Sequence, residues 1–226
     1  MSTVTLTAAD GHSCPAYVAR PAGTPKGGLV VLQEIFGVNS HIRSVADGYA
    51  ADGYLVIAPH TFHRVQAGVE LGYTEADMQT GFGLKTAVEA LPAPGAMADI
   101  QAAIDWVAQA GKVGILGFCW GGLLTWRSAC QLRGLSAAVP YYGGGMTVGA
   151  DGAAQATVPT LAHFATDDHW IPLDTVHAFA KAHTGVQVQL YEGHHGFNCD
   201  QRASWNAAAA TLARGRTLEF LATHLV

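Results

Sequence analysis

The sequence predicts an α/β protein with a doubly wound, mostly parallel sheet that is covered by helices on both faces. Short apolar runs of strand length alternate with segments whose apolar residues repeat at helical spacing. Half of the 226 residues are hydrophobic and only 13% are charged, against roughly 25% in an average globular protein, so much of the chain must be buried. No Pro/Ser-rich linker or abrupt change in composition divides the chain. We therefore expect a single domain over residues 1–226.

The first predicted strands form a hairpin at the edge of the sheet. They cover residues 4–6 and 15–19, and the Asp10-Gly11 pair between them is typical of a turn. The continuous apolar run GLVVL at residues 28–32 is instead typical of a central parallel strand, buried on both faces.

The next segment predicts a helix, a strand and then a long loop. The helix begins at Ser40 or His41 and ends near Gly53, and the strand covers residues 54–58. Residues 59–83 lose this periodicity and contain several glycines, so we expect a loop that lies over the strand ends and caps a site there.

The second half of the chain continues the alternation of helices and strands. A regular apolar stripe follows Ala98 and predicts a helix before the next strand. The later strands are expected at residues 113–116, 137–142, 159–164 and 186–191, and the later helices at residues 123–132, 176–182 and 204–225, the last with a weak point at Gly215. This order predicts parallel strands joined by right-handed crossovers, without an internal repeat.

The segment KVGILGFCWGGLLT at residues 112–125 predicts a buried strand that runs into a sharp turn and a helix. Cys119 lies at the bend between Gly117 and Gly121, which is the G-x-C-x-G spacing of a nucleophile elbow. The helix N-terminus would favour the thiolate and offer the Trp120 N–H to an oxyanion. The alternative interpretation is a buried structural cysteine in a glycine-rich turn.

Acidic and imidazole side chains follow two later strands. Asp167 or Asp168 comes after the strand at 159–164, and His194 or His195 comes after the strand at 186–191. The order of nucleophile, acid and histidine is that of α/β-hydrolases, and all three loops leave the same edge of a parallel sheet. Taken alone, the acid could be a helix N-cap and the histidine a surface loop residue.

Three further side chains are candidate functional groups. Glu34 follows the strand at residues 28–32, where a carboxylate is more often functional than a solvated loop charge. His60 and His63 have a metal-like spacing, but no third ligand lies at a convincing distance in the sequence, so we expect no metal site.

Charge and cysteine content exclude several classes of protein. The net charge is −5 without a run of Lys or Arg, which argues against binding to nucleic acid or an anionic membrane. The start MSTVTLTAADGH lacks the features of a signal peptide, and no apolar stretch approaches the ~18 residues of a membrane span. The cysteines are widely spaced and suggest neither a zinc site nor a disulfide framework: Cys14, Cys119, Cys130 and Cys199. We expect a cytosolic monomer with reduced thiols and a small-molecule substrate.

Four motifs make the sequence resemble a known family. QEIFGVN at 33–39, GFCWGG at 117–122, DHWIP at 168–172 and GHHGF at 193–197 are similar to the dienelactone hydrolase family, the carboxymethylenebutenolidases. The match runs from about residue 5 to the C-terminus with the motifs in the same order. The resemblance implies an α/β-hydrolase fold, a Cys-His-Asp triad, no cofactor or metal, and hydrolysis of lactones or activated enol esters through a thioester acyl-enzyme.

The resemblance also implies roles for individual residues. Cys119 corresponds to the nucleophile. Asp168 corresponds to the orienting acid, because Asp167 lies one place too far from the Ile-Pro pair of that motif. His195 corresponds to the base, with His194 as its neighbour.

Three more positions follow from the first two motifs. Glu34 corresponds to the family carboxylate that accepts the thiol proton or holds the resting cysteine until the substrate arrives. The backbone N–H groups of Ile35 and Trp120 correspond to the oxyanion hole.

The sequence departs from the family where members that cleave dienelactone hold the substrate carboxylate. Those members use one arginine before the elbow and one four residues after the histidine. Here no arginine lies between Arg64 and Arg127, and the second position is Cys199. We therefore expect no family-type arginine pair; Arg64, Lys85 or Arg202 would have to replace it by a different geometry.

Two other functions remain compatible with the cysteine turn. A class I glutamine amidotransferase-like enzyme also places a cysteine on a strand-to-helix turn near a glutamate, but it does not require DHWIP or GHHGF. A non-catalytic binding or redox-sensing protein would need only a reactive thiol at Cys119.

Overall fold

The computed structural model describes residues 2–226, and its main feature is an eight-stranded sheet. The strands are β1 (Ser2–Thr7), β2 (Ser13–Ala19), β3 (Gly28–Leu32), β4 (Leu55–Pro59), β5 (Val113–Phe118), β6 (Leu135–Tyr141), β7 (Thr160–Ala165) and β8 (Val186–Tyr191). They lie in the order β1-β2-β4-β3-β5-β6-β7-β8. β1 and β2 pair antiparallel, β2 pairs antiparallel with β4, and the remaining neighbours are parallel. The predicted mostly parallel α/β sheet is confirmed.

Helices pack on both faces of this sheet. They are α1 (Ser40–Ala51), α2 (Glu75–Glu89), α3 (Ala96–Val107), α4 (Trp120–Gln131), α5 (Gly149–Ala153), α6 (Leu173–Ala182) and α7 (Ala207–Leu225). Two glycines of β5 show the arrangement, because a Cβ at Gly114 would lie 3.0 Å from Leu221 of α7 and a Cβ at Gly117 would lie 2.3 Å from the Gly121 carbonyl of α4. The absence of side chains therefore lets α7 and α4 approach β5 closely from opposite sides.

The loop expected over residues 59–83 is wrong in its second half, because α2 begins at Glu75. A capping box starts this helix: the Thr74 hydroxyl accepts from the Asp77 N–H, and the Asp77 carboxylate accepts from the Thr74 N–H. The helix buries only Gly81 and Val88, so it lacks the apolar stripe by which a helix is recognised in sequence. α5 was also not predicted, and it is a single short turn.

The C-terminal helix differs from its prediction in two details. α7 begins at Ala207 rather than Ser204, because the Asn206 side chain accepts a hydrogen bond from the Ala209 N–H and caps the helix there. It continues without a break through Gly215. Within residues 2–226, no helix combines the length and the apolar content needed to cross a membrane.

A buried histidine joins the strands β7 and β8 to α7. His163 Nδ1 lies 2.8 Å from the Tyr191 hydroxyl, and its Nε2 lies 3.0 Å from the Thr217 hydroxyl. The Thr217 hydroxyl also lies 2.6 Å from the Tyr141 hydroxyl. One hydrogen-bond network therefore links β6, β7 and β8 to α7 inside the core. Burial, with the nearby Arg216 charge, lowers the pKa of His163 from 6.5 to about 3. The ring is therefore neutral in the folded protein at every pH above that value.

This histidine makes the stability depend on pH in a defined window. Below pH 6.5 the unfolded chain protonates His163 while the folded chain does not, so the free energy of unfolding falls as the pH is lowered from 6.5 towards 3. At pH 4.5 the free energy of unfolding should be lower than at pH 6.5 by on the order of 2 to 3 kcal/mol. His163→Gln should flatten this part of the profile, as measured by urea unfolding at a series of pH values. His177→Gln, at an exposed position of α6, is the matched control and should follow the wild type. Parallel profiles for all three proteins would contradict the assignment.

Candidate active site

Cys119 lies at a strained turn between β5 and α4. Its backbone has φ 56° and ψ −118°, in a region that residues with a side chain rarely adopt. The surrounding glycines make the turn possible, because a Cβ at Gly121 would lie 2.4 Å from the Gln33 carbonyl and one at Gly122 would lie 2.4 Å from the Tyr141 carbonyl. The predicted strand, turn and helix are thus present, and the N-terminus of α4 begins directly after the cysteine.

The acid and the histidine that the motifs selected form a buried pair. Asp168 Oδ2 lies 2.8 Å from His195 Nδ1, with side-chain exposures of 0% and 9%. Asp168 Oδ1 accepts hydrogen bonds from the N–H groups of Trp170 and Ile171, which fixes the carboxylate. The neighbouring alternatives are placed differently: Asp167 and His194 form an ion-pair contact of 3.1 Å at the surface, with exposures of 78% and 64%.

His195 also lies beside Cys119, and the two residues line the same cavity. Burial lowers the pKa of this histidine, but the interaction with Cys119 and the hydrogen bond and charge of Asp168 outweigh it and raise the pKa from 6.5 to about 10. A histidine in this state is protonated at neutral pH. The arrangement places an imidazolium between the Cys119 side chain and the Asp168 carboxylate.

Glu34 is buried beside this group but contacts other partners. Its Oε1 accepts a hydrogen bond from Arg202 Nη1 at 3.1 Å, and its Oε2 lies 3.5 Å from the Tyr73 hydroxyl. Within the described residues, these are the hydrogen-bond partners of the carboxylate, and none joins it to Cys119. Sequence reasoning found Glu34 but not its pairing with Arg202, because 168 positions separate the two residues and no motif includes the arginine.

A cavity of roughly 270 Å³ opens above Cys119. Ile35 and Trp120, the predicted oxyanion-hole positions, line it together with Cys119 and His195. Among residues 2–226, no hydrogen-bond partner occupies the backbone N–H of Ile35 or Trp120. Both N–H groups therefore remain without a partner in the described part of the chain.

The rest of the cavity wall is apolar with two cations. Its apolar part consists of Phe36, Met78, Phe82 and Trp170. Lys85 and Arg202 line it as well, whereas Arg64 does not, because ion pairs with Asp10 and Asp99 hold that guanidinium elsewhere. The helix α2, which the sequence did not predict, supplies three of these residues: Met78, Phe82 and Lys85. Two of the three candidate cations therefore reach the site.

Of the two histidines with metal-like spacing, His63 contacts a third histidine, His12. His63 Nδ1 lies 3.3 Å from His12 Nε2, and His12 contacts Asp99, so this cluster connects the N-terminal hairpin to α3. A different group has ligand atoms close together: Glu34, His41 and Cys199, which lie within 4.8 Å of one another. The sequence spacing of these three residues gives no sign of this proximity.

Comparison with known proteins places these features in a family context. The model of the dienelactone hydrolase family matches residues 14–225. A Pseudomonas putida protein named carboxymethylenebutenolidase is 31% identical, over 97% of this chain and 95% of that protein. A Synechocystis protein with the name "Putative carboxymethylenebutenolidase" is 35% identical, over 92% of this chain and 91% of its own. A crystal structure from Klebsiella pneumoniae, described as a "Putative Dienelactone Hydrolase", superposes with a TM-score of 0.84 at 32% identity, covering 99% of this chain and 100% of that one.

The four thiols should differ sharply in reactivity. Burial raises the pKa of Cys14 and Cys199 to about 12 and that of Cys130 to about 11, so these thiols stay protonated at neutral pH. Cys119 is partly exposed and faces a protonated histidine and a helix N-terminus. We expect iodoacetamide near neutral pH to label Cys119 more than about tenfold faster than the other three, as followed by peptide mass spectrometry. Equal labelling rates at the four positions would contradict this geometry.

Proposed function

The chain belongs to the dienelactone hydrolase family and is a hydrolase of lactones or esters, and we propose that Cys119 is its nucleophile, acting with His195 and Asp168. The observation that carries the proposal is the buried Asp168–His195 pair, 2.8 Å apart, directly beside the thiol of a strained turn. The family relationship supports the choice of lactones and activated enol esters as substrates.

The first half of the reaction forms a thioester. The Cys119 thiolate attacks the carbonyl carbon of the ester or lactone, and the N–H groups of Ile35 and Trp120 bind the oxyanion that develops. The carbon–oxygen bond to the leaving group then breaks, and protonated His195 gives its proton to the departing oxygen. Asp168 holds the ring with Nδ1 towards the carboxylate, so Nε2 is the nitrogen that exchanges protons.

The second half of the reaction releases the acid. Neutral His195 accepts a proton from water, the resulting hydroxide attacks the thioester carbon, and the sulfur leaves as the thiolate that the imidazolium stabilises. A thiolate is a good nucleophile and a good leaving group, which suits activated esters better than amides. Peptidase activity is therefore not expected.

Glu34 has a role that depends on Arg202. Paired with that guanidinium, the carboxylate does not contact the thiol. The family resemblance implies that this carboxylate accepts the thiol proton or holds the resting cysteine until the substrate arrives.

The same observations favour this proposal over the other functions considered for Cys119. A class I glutamine amidotransferase-like enzyme has no need of the buried Asp168–His195 pair. A thiol sensor needs neither that pair nor two free N–H donors in the cavity wall. If His195→Ala left activity intact, the amidotransferase-like alternative would gain support; peroxide reactivity without turnover of any ester would favour a sensor.

The identity of the acid can be tested with two neighbouring aspartates. Asp168→Asn should lower kcat/KM by about 10²- to 10⁴-fold without changing the fold, because the histidine loses the group that orients it. Asp167→Asn is the matched control at the adjacent, exposed position and should have little effect. The assay is hydrolysis of p-nitrophenyl esters, enol-lactones and thioesters, with Cys119→Ser as the inactive reference. The reverse order of effects would assign the role to Asp167.

The cations in the cavity predict a small preference for acidic substrates. Arg202 is already paired with Glu34, and Lys85 is partly exposed, 3.9 Å from Glu89, so a substrate carboxylate should gain little from either. A partly exposed ion pair contributes about 1 kcal/mol or less, or roughly fivefold in kcat/KM. We expect kcat/KM for dienelactone to exceed that for its methyl ester by less than about tenfold.

Lys85→Gln should bring that ratio close to one, whereas Lys181→Gln, at a position on α6 that does not line the cavity, should leave it unchanged. A ratio above about a hundred in the wild type would mean that Arg202 leaves Glu34 and binds the substrate carboxylate in a charge-assisted, bidentate contact.

A further inference from the structure

We propose that Glu34, His41 and Cys199 form a binding site for a divalent transition-metal ion, with Zn²⁺ as the fitting species. All three residues are buried: Glu34 is 1% exposed, His41 3% and Cys199 0%. Glu34 lies in the loop after β3, His41 at the start of α1 and Cys199 in the loop before α7. Each offers one ligand atom, and these atoms lie within 4.8 Å of one another. The Glu34 carboxylate also accepts a hydrogen bond from Arg202.

The donor set matches the chemistry of zinc. A thiolate, an imidazole and a carboxylate are its usual protein ligands, with bond lengths of roughly 2.0 to 2.3 Å. In a tetrahedral site such bonds place neighbouring ligand atoms about 3.3 to 3.8 Å apart. The three atoms observed would have to approach one another by no more than about 1.5 Å to meet that geometry, which side-chain rotation can supply. A water molecule would complete the four ligands, beside the Tyr73 hydroxyl that lies 3.5 Å from Glu34 Oε2.

The orientation of His41 is the second observation that indicates a ligand. Its Nδ1 lies 3.0 Å from Asp200 Oδ1. Because an ionised carboxylate can only accept, Nδ1 carries the proton and Nε2 presents a lone pair. That Nε2 is buried and has no hydrogen-bond partner within residues 2–226. A carboxylate on one ring nitrogen and a metal on the other is the usual arrangement of a zinc-bound histidine.

Charge and access are also compatible with a cation. With Cys199 as thiolate, the site holds two negative charges, and the thiol proton passes to the solvent when the ion binds. Arg202, which is paired with Glu34, contributes one positive charge nearby. His41 and Asp200 line a separate surface cleft of roughly 270 Å³, which provides a path to the site that does not pass through the cavity above Cys119.

Metal binding at this site would inhibit the enzyme, an inference that rests on the proposed function. An ion bound to Glu34 competes with Arg202 for that carboxylate and so disturbs a guanidinium that lines the cavity above Cys119. The metal ion would thus control activity without contact to Cys119 or His195.

The test uses the full-length chain after removal of metals with a chelator. Titration with Co²⁺ should give one ion per chain and a thiolate-to-cobalt charge-transfer band, and Zn²⁺ should displace it. Cys199→Ser and His41→Asn should each weaken binding by more than about 100-fold, and Asp200→Asn by about 10- to 100-fold. Cys14→Ser, which removes another buried free thiol, is the matched control and should bind as the wild type does.

Several results would overturn the proposal. One is the absence of the band in the wild type with Co²⁺ in excess; another is a band that survives in both Cys199→Ser and His41→Asn. Loss of the band in Cys119→Ser alone would place the metal on the reactive thiol instead. If a variant fails to fold, thermal unfolding still decides, because Zn²⁺ should raise the Tm of the wild type and not that of the folded ligand variant.

The inhibitory role is tested separately. Zn²⁺ should inhibit ester hydrolysis by the wild type, and the concentration for half inhibition should rise by more than about 100-fold in His41→Asn, whose side chain takes no part in the reaction. Equal inhibition of both proteins would mean that the ion acts at Cys119 and would overturn this role. If no protein hydrolyses any ester, the proposed function fails, while the cobalt titration still reports on the metal site.

Discussion

The close approach of α4 to the ends of β3, β5 and β6 is the constraint on which the site depends. Gly117 and Gly121 are in direct contact across the turn, and Gly121 also lies against the chain that follows β3. A side chain at either position would push α4 away from the sheet. The tight contact forces Cys119 into its left-handed backbone conformation and aims its side chain out of the sheet edge. The same contact brings Gln33 and Glu34 next to the start of α4, so the thiol, the helix N-terminus and a buried carboxylate share one small volume.

Two buried charge systems flank this turn. One consists of Asp168 and His195, beside Cys119. In the other, Arg202 balances Glu34, a carboxylate that is almost fully buried. Breaking such a pair by removal of one partner leaves an uncompensated buried charge and typically costs about 3 to 5 kcal/mol, whereas the intact pair adds little to stability. The presence of these buried pairs is therefore better explained by a role in the reaction than by a contribution to the stability of the fold.

The fold was predictable because its central strands and most of its helices carry strong local patterns. GLVVL at β3 and the run that leads to Cys119 are buried over their whole length, and α3 has a regular apolar stripe. α2 was missed because it buries only Gly81 and Val88, so its sequence resembles that of a loop. That error affects the site, since Met78, Phe82 and Lys85 reach the cavity from this helix. The choice of Asp168 over Asp167 and of His195 over His194 came from motif position, and in the structure those two side chains are the buried, paired ones.

The sequence by itself determined the features that neighbouring residues encode: the alternation of strands and helices, the glycine-rich turn at Cys119, and the order of thiol, acid and histidine along the chain. Only the tertiary structure decided which distant groups meet. Glu34 is 168 positions from Arg202, and His41 is 159 positions from Asp200, yet both pairs are in contact. Local pattern carries no information on such contacts, because the packing of α1 and of the loop before α7 against the edge of the sheet sets them. The ion pair of Glu34, the unpartnered Nε2 of His41 and the cations that line the cavity are for this reason properties of the folded chain alone.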